Sequence, residues 1–511
     1  MPQYLSPGVY VEEVERGAKP IEGVGTAVAA FIGFAEKGPI NQPLFIANWS
    51  QFQNTFGDFL PGGYLAHAVY GYFNNGGGSC YVIRLPSGEE KVEEGAPTLL
   101  LKARTEGAPP TLRLLAKGEA EGIRVEVSDA PEGTFNMKVR RGAEEETFEN
   151  LSLSKAKGVR NVADVVNKES RLVQVEVLEV PGSLGERIPI AGQYEFPVAP
   201  VATQLVLRKA EPGLFVGDVA TRKGMGNFQV LDDVTMVLMP DIMAAYKAGV
   251  LDKKGLKAIQ QSMLDHCENM KDRVAILDAP PGMSPQEVKT WRQEEAGFDS
   301  KFGAMYYPWI EVADPSGNGN MVHIPPSGHI AGIYARSDTT RGVHKAPANE
   351  VIRGAVGVEY RTTKSEQDSL NPIGVNCIRA FPGRGIRVWG ARTVSSDAAW
   401  RYVPVRRLFN FVEKSIELGT QWVVFEPNDM DLWERVKRDI TAFLTRVWRD
   451  GALFGATPSD AFYVKCDEEL NTPEVRDAGQ MICEIGLAPV KPAEFVIFRI
   501  SQYTGGSEVS E

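Results

Sequence analysis

The last apolar segment of the chain constrains its fold more than any other feature. The sequence EFVIFRIS, residues 494–501, is apolar on both faces of an extended chain, and the proline-bearing stretch GLAPVKPA precedes it. A strand with two apolar faces needs cover on both sides. Because an uncovered strand of this kind is an aggregation hazard, we expect this segment to pair with a partner strand.

The first apolar segment mirrors the last. YLSPGVYVEEV predicts a strand entered by a proline, and a loose spacer with Gly and Pro follows it. Pairing within the subunit accounts for one tethered terminal strand, whereas donation to neighbouring copies accounts for both. In strand donation, main-chain hydrogen bonds supply affinity and side-chain pockets supply register. The residues predicted to make intersubunit contacts are Pro7, Val9, Tyr10, Val11 and Val14 in the N-terminal arm and Phe495, Val496, Ile497, Phe498 and Ile500 in the C-terminal arm.

Composition excludes some classes of protein. The 55 Lys and Arg residues against 66 Asp and Glu give a net charge of −11, which argues against nucleic-acid binding, since that needs a basic face. Five scattered cysteines without CxxC spacing indicate free thiols in a reducing compartment. The start lacks the features of a signal peptide, and no run approaches the roughly 20 apolar residues of a membrane helix. We therefore expect a cytoplasmic chain that does not enter a membrane.

The order of predicted elements indicates a multidomain chain of α/β and α+β class. Apolar strands alternate with amphipathic helices from about residue 231 onward, whereas residues 86–200 lack tryptophan and contain short strand-like runs between polar turns. The predicted parts are an N-terminal arm (1–20), an α/β core (21–85 with 201–395), an inserted β-rich domain (86–200), a small α+β C-terminal domain (396–490) and a C-terminal arm (491–511).

Two segments of the C-terminal half carry more specific expectations. QWVVFEP predicts a strand, and MDLWERVKRDITAFLTRVWRDG predicts a helix capped by Asn428 or Asp429. The charged residues of that helix either form a solvated face or face a partner, and Glu434 stands four residues before Arg438, a spacing that permits weak pairing. The apolar stripe of the helix is Leu432, Val436, Ile440, Phe443 and Val447, and the candidate interface charges are Glu434, Arg435, Lys437 and Arg438.

Signatures of catalysis are weak. The chain has no phosphate-binding GxxxxGK[ST] motif, and GVGTAV precedes a predicted strand instead of following one, which is the wrong order for a dinucleotide fold. Cys80 is expected to be a buried strand cysteine. We assign no catalytic residue, cofactor or metal.

One polar cluster keeps an enzyme alternative open. Residues 323–349, whose Gly and Pro content predicts tight turns between strands, suit a metal site, a nucleophilic site or a polar subunit interface, without the fixed spacing that distinguishes them. The alternative function is a cytoplasmic α/β hydrolase or nucleotide-binding enzyme that uses this cluster. Its polar residues are His323, Ser327, His329, Asp338, Arg341, His344, Lys345 and Asn349.

Several blocks, in order, resemble the contractile tail sheath family of phage tails, R-type bacteriocins and extracellular contractile injection systems, with the injection-system branch favoured. The resemblance covers both ends and most of residues 200–500, but not 86–200. The blocks are YLSPGVYVEEV, GVGTAVAAFIG, LAHAVYGYFNNGGGSCYVIRL, PPSGHIAGIYARSDTTRGVHKAPAN, LNPIGVNCIRAFPGRGIRVWGARTV, WRYVPVRRLFNFVEKSI and PAEFVIFRISQ.

The resemblance implies a structural, non-enzymatic function. Sheath subunits stack as six-fold rings in a helical jacket around an inner tube, with both arms joining sheets of neighbouring subunits. The C-terminal domain then lies innermost, the inserted domain faces outward, and a baseplate signal triggers contraction between two packings of one subunit. The implied partners are other copies of the chain, the inner tube protein, and baseplate and terminator or cap proteins. After cytoplasmic assembly the chain becomes part of a virion-like or injection particle that is released by lysis.

Overall fold

Residues 20–86, 98–104, 110–117, 122–142, 144–156, 158–178, 183–196, 211–314 and 320–499 are described by a computed structural model. Their strands, in chain order, are β1 (Ala29–Gly33), β2 (Leu44–Ile46), β3 (Cys80–Arg84), β4 (Thr98–Lys102), β5 (Pro110–Ala116), β6 (Ile123–Ala130), β7 (Thr134–Arg141), β8 (Glu144–Leu151), β9 (Val173–Val177), β10 (Gly192–Glu195), β11 (Met236–Leu238), β12 (Val274–Asp278), β13 (Gly303–Tyr307), β14 (Ile310–Ala313), β15 (Met321–Ile324), β16 (Ala355–Val358), β17 (Val375–Phe381), β18 (Gly385–Val388), β19 (Phe462–Lys465) and β20 (Glu484–Leu487).

The α-helices lie mostly in the second half of the chain. They are α1 (Trp49–Phe56), α2 (Leu65–Asn75), α3 (Val162–Glu169), α4 (Leu184–Arg187), α5 (Pro212–Val216), α6 (Asp241–Lys247), α7 (Lys253–Met270), α8 (Pro285–Thr290), α9 (Ser327–Arg341), α10 (Lys364–Leu370), α11 (Val403–Gly419), α12 (Met430–Arg449), α13 (Pro458–Ala461) and α14 (Pro473–Asp477).

The chain divides into two compact units. The first unit contains residues 1–88 and 207–511, and the second contains residues 89–206. In the second unit, the sheets β10-β6-β7-β8 and β4-β5-β9 are antiparallel and share one apolar core. This unit contains none of the eight tryptophans of the chain.

An eight-stranded mixed sheet forms the centre of the first unit. Its order is β18-β17-β13-β12-β11-β1-β3-β2, with parallel pairing throughout except at β2 and β18, the two edges. The central strands β1, β12 and β13 are buried along their whole length. Such continuous apolar strands are typical of a parallel sheet covered on both faces.

Helix α9 corrects one sequence-based prediction. Residues 327–341, within the segment interpreted as tight turns between strands, form a continuous helix instead. Helix α9 packs closely against α2, where a Cβ atom on Gly328 or Gly332 would lie 2.3–2.4 Å from α2 backbone oxygens. Because α9 is buried on almost every side, it lacks the amphipathic period by which a helix is recognised in a sequence.

The prediction of a strand at QWVVFEP, residues 421–427, is also wrong. Residues Gln421–Val423 form a 3₁₀ turn directly after α11, and a second turn follows. The amides of Val423, Val424 and Glu426 donate to carbonyls three residues earlier, so they are not available for a strand ladder.

Helix α12 agrees closely with its prediction. Its N-cap is Asp429, whose carboxylate accepts from Leu432 N at 2.9 Å, and all five residues of the predicted apolar stripe are buried. The α12 stripe packs with α11, β19 and Ile21 in one apolar core. No helix within the described residues is long and apolar enough to cross a bilayer.

Candidate assembly site

The C-terminal arm is attached to its own subunit by one carboxylate. Glu494 accepts hydrogen bonds from Arg392 at two positions, Nε to Oε1 at 2.9 Å and Nη2 to Oε2 at 2.6 Å. Asn371 Nδ2 donates to Oε1 at 2.8 Å, and the Tyr402 hydroxyl donates to Oε2 at 3.0 Å. We call Asn371, Arg392, Tyr402 and Glu494 the C-terminal clamp; a bidentate arginine–carboxylate pair of this kind gives direction as well as strength.

The clamp keeps Glu494 ionised. Partial burial raises the pKa of Glu494, but the hydrogen bonds from Arg392 and Asn371, the charge of Arg392 and the Tyr402 hydroxyl outweigh burial, so the pKa lies below its ordinary value. Burial and the Glu494 charge together raise the pKa of Tyr402. Glu494 is therefore an ionised acceptor, and Tyr402 is a protonated donor.

Beyond the clamp the arm is exposed. Phe495, Val496, Ile497 and Phe498 are between 67% and 84% exposed, and residues 491–499 belong to no strand. Ile500 lies outside the described residues, as do the N-terminal arm residues Pro7, Val9, Tyr10, Val11 and Val14. Four consecutive exposed apolar side chains, two of them aromatic, form a surface of the kind that binds another protein segment.

The segment that follows the N-terminal arm is fixed to the two long helices α11 and α12. Ile21 is buried in the core that these helices share, and its carbonyl accepts from Arg446. Val24 N donates to Ser415 Oγ at 3.2 Å, and Thr26 O accepts from Arg407 Nη2 at 2.8 Å. Residues 21–26 are therefore anchored to helices of the C-terminal third of the chain.

A buried ion pair completes this anchorage. Arg407 donates to Asp338 twice, Nη1 to Oδ1 at 2.8 Å and Nη2 to Oδ2 at 2.6 Å, and the side chains are 4% and 5% exposed. The Thr26 hydroxyl donates to Asp338 Oδ2 at 2.6 Å. The pair joins α9 to α11, and removal of either partner alone would leave a buried charge without a counter-ion.

A two-stranded sheet offers free edges. Strands β19 and β20 pair from Phe462–Leu487 to Lys465–Glu484, and in the described part of the chain no third strand joins them. Tyr463 on β19 is 53% exposed. The sheet packs on α12, and its edges present main-chain groups that can pair with a further strand.

The turn between α11 and α12 presents an exposed aromatic residue. Val424 (φ −65°, ψ 126°) and Phe425 (φ 69°) are the central residues of a type II turn, closed by Glu426 N donating to Val423 O at 3.1 Å. The positive φ favours Gly or Asn at the position of Phe425, and a bulky residue there costs about 1–2 kcal/mol. Phe425 is fully exposed and Val424 is 64% exposed; we call these two residues the aromatic tip.

The candidate charges on α12 have local partners. Glu434 pairs with Lys437 at 3.5 Å and Arg438 pairs with Asp439 at 3.1 Å, so the predicted Glu434–Arg438 pair is not formed. Arg435 pairs with Glu426 at 3.1 Å and lies 4.8 Å from the centre of the Trp422 ring. The side chains of Glu434, Arg435, Lys437 and Arg438 remain 42–72% exposed.

The polar cluster of residues 323–349 does not form one site. On α9, Ser327 N donates to Asp278 Oδ1 at 2.8 Å, His329 is buried against α2, and Asp338 pairs with Arg407. Burial lowers the pKa of His329 to about 3, with a smaller contribution from His67.

The remaining members of the cluster lie at the C-terminal end of α9 or outside it. His323 is exposed on β15, Arg341 is exposed, and His344 is half-buried beside Gly342. Lys345 pairs with Glu350 at 3.1 Å, and the side chain of Asn349 accepts from Arg384. Within the described residues, no group of three or more His, Cys, Asp or Glu side chains is placed to hold a metal ion.

Sequence reasoning missed the clamp and the aromatic tip. Asn371, Arg392 and Tyr402 carry no local motif, and they lie 92–123 residues from Glu494. For Phe425, the only local signal is an apolar triplet between a helix and a helix cap, which also suits a strand. Cys80 is buried in β3, as the sequence predicts.

Two models of protein domains match consecutive parts of the second half of the chain. The model of the phage tail sheath protein central domain matches residues 240–394, and that of the phage tail sheath C-terminal domain matches residues 395–502. Together these matches span just over half of the chain. The chain therefore belongs to the phage tail sheath family.

Curated relatives agree with this assignment. The tail sheath protein of Vibrio phage KVP40 is 25% identical over 51% of this chain and 41% of the relative, so the chain matches less than half the length of that protein. The tail sheath protein of Burkholderia phage BcepMu is 22% identical over 95% of this chain and 94% of the relative. The tail sheath family is structural and not enzymatic, in agreement with the expectation of a non-enzymatic chain.

Two solved assemblies contain similar chains. A chain from the contracted helical sheath of the anti-feeding prophage is 25% identical, with a TM-score of 0.61, covering 98% of this chain and 99% of the other. A chain from the contracted sheath complex of the extracellular contractile injection system PVC is 25% identical, with a TM-score of 0.57 and the same coverage.

Proposed function

We propose that this chain is the subunit of a contractile sheath that polymerises helically around an inner tube and contracts to drive the tube through a target envelope. The observation that carries the proposal is the C-terminal arm, fixed at Glu494 and exposed from Phe495 to Phe498. An apolar strand that is anchored at one end and uncovered beyond it suits donation to a neighbouring sheet. The similar chains found in a helical sheath and in a sheath complex support assembly into a sheath.

The receiving site for an arm is an edge of the β19–β20 sheet in a neighbouring copy. Arm residues supply the missing ladder, and burial of one large apolar side chain contributes roughly 1.5–3 kcal/mol. The N-terminal arm, with Pro7, Val9, Tyr10, Val11 and Val14, donates a second strand in the same way. Both ends of the chain then link each subunit to others.

The layout proposed for the assembled sheath follows the domain boundaries of the sequence. Residues 396–490 form the inner domain near the tube, with Glu434, Arg435, Lys437 and Arg438 available to face it, and residues 86–200 form the outward-facing insertion. Six-fold rings stack helically, and baseplate and terminator or cap proteins bind the ends. A relative occurs in a baseplate structure described as 6-fold symmetrised, which supports the ring symmetry.

The cellular setting follows from the same proposal. The chain is synthesised and assembled in the cytoplasm and then leaves, after lysis, as part of a phage-like or injection particle. Contraction draws on the difference in contact free energy between two packings of one subunit and requires no cofactor or nucleotide.

Truncation tests the proposal. Removal of residues 494–511 leaves the tryptophan-containing first unit folded, because Phe495 to Phe498 are exposed and contribute little to its core, while the hydrogen bonds lost at Glu494 lie at one point of its surface. The truncated protein should remain monomeric, whereas the full chain forms long striated cylinders in negative-stain micrographs. A control variant, Phe498→Tyr, keeps an aromatic ring in the arm and should polymerise. Long cylinders from the truncated protein would refute strand donation by the C-terminal arm.

A further inference from the structure

We propose that the aromatic tip is a contact surface for a second copy of this chain, in addition to the arms. This inference rests on the proposed sheath function. Phe425 adopts a left-handed backbone conformation that a bulky side chain disfavours. Nothing in the described part of the chain covers that side chain. Backbone strain that the subunit itself does not repay is a reason to look for a functional contact.

The tip is held in place by its surroundings. The guanidinium of Arg435 lies over the Trp422 ring and pairs with Glu426, the residue that closes the turn. On the other side of the turn, Asn428 Nδ2 donates to Gln480 O at 2.8 Å, while its Oδ1 accepts from Trp433. These contacts fix both ends of the turn, so the backbone of Phe425 is held in a defined position before binding.

The chemistry of the tip selects an apolar partner. Glu426, the acidic residue next to Phe425, is already paired with Arg435, so the tip presents two apolar side chains without an unpaired charge beside them. A protruding aromatic residue on a rigid support is the usual form of an interface hot spot, which inserts into a pocket on the partner.

A second copy is the partner that the observations favour. A tip that inserts into a pocket of an identical chain meets a different surface there, so the contact is heterologous. Heterologous contacts between identical chains generate rings or helical stacks, the arrangement found for the similar chain in the anti-feeding prophage sheath. In addition, Asn428 connects the tip to the segment leading into β20, so the tip belongs to the domain whose sheet edge is proposed to receive the arms.

The test uses the full chain and two substitutions that suit a left-handed residue. Phe425→Gly and Phe425→Asn remove the aromatic ring and relieve the backbone strain. We expect both variants to keep or increase the urea midpoint of tryptophan fluorescence. The critical concentration for polymer formation, measured by light scattering and sedimentation, should rise about tenfold or more, because one buried aromatic contact per subunit is lost. Leu184→Ala, which truncates a 49% exposed side chain in the second unit, is the matched control and should leave assembly unchanged.

The outcomes separate this inference from the proposed function. If the unaltered chain forms no polymer, the sheath proposal fails together with this inference. If the unaltered chain polymerises and both Phe425 variants do so at the same concentration, the tip does not contact a second copy, and binding of the variants to the inner tube then becomes the comparison to make. A lower urea midpoint in both variants would show that Phe425 stabilises its own subunit, which also overturns the inference.

Discussion

Removal of the buried charge on Asp338 should destabilise the first unit strongly. In Asp338→Asn the Arg407 guanidinium, 4% exposed, keeps its charge but loses its counter-ion and one of its two acceptor oxygens. Breaking a buried pair by removing one partner costs about 3–5 kcal/mol. With a urea dependence of about 3 kcal/mol per molar for a large domain, the unfolding midpoint should fall by about 1–2 M.

Tryptophan fluorescence is a suitable assay for this change. All eight tryptophans lie outside residues 89–206, so the signal reports unfolding of the first unit alone. Asp368→Asn, an exposed substitution on α10, removes the same charge without an ion partner and should change the midpoint very little. A fall of similar size in this control would mean that net charge, and not the buried pair, sets the effect.

A double variant tests whether the uncompensated charge causes the loss of stability. Asp338→Leu with Arg407→Met replaces the pair by apolar side chains, and such replacements of buried pairs are often neutral or stabilising. We expect the double variant to lie within about 2 kcal/mol of the unaltered chain, above either single variant. A double variant that is less stable than Asp338→Asn would refute the argument that an uncompensated charge causes the loss.

Three further predictions concern the arm, the pH dependence and the capping of α12. Glu494→Gln removes the charge from the clamp and should increase the mobility of a nitroxide placed on Ile497→Cys in a Cys483→Ser background; an unchanged spectrum would show that the clamp does not hold the arm. Burial, followed by the Arg273 charge, lowers the pKa of His266 from 6.5 to about 4, so its contribution to stability is full above pH 6.5 and is lost as the pH falls through 4. His266→Gln should therefore remove about 3 kcal/mol of the acid destabilisation seen in urea titrations at these two pH values, and identical pH profiles would contradict this. Asp429→Ala should lower the stability of the first unit by about 1 kcal/mol in the same titration, whereas an unchanged midpoint would show that another group caps the helix.

The sequence predicted correctly those elements that are determined by their own residues. Helix α12 has a capping aspartate followed by an amphipathic stripe, and both signals lie within the helix itself. Helix α9 was missed because its neighbours, not its own sequence period, make it a helix: small residues such as Gly328 and Gly332 permit close packing on α2. The turn at Phe425 was missed for a related reason, since VVF has strand propensity and only its hydrogen bonds show the turn.

One part of the candidate assembly site can be predicted from the sequence, and the other part cannot. The apolar character of residues 495–498 is visible in the sequence, and their exposure in the structure is consistent with the predicted arm. The clamp depends on Asn371, Arg392 and Tyr402, which reach Glu494 only through tertiary folding. Contacts across about a hundred residues leave no periodic or spacing signal in a single sequence.

The attachment of residues 21–26 determines how a subunit transmits force. If a neighbouring copy pulls on the start of the chain, the load passes at Ile21 and Thr26 directly to Arg446 and Arg407, on α12 and α11. Tension therefore enters two long helices instead of peeling a strand from the central sheet. We therefore expect tension on the segment before Ile21 to load α11 and α12 before it reaches β1.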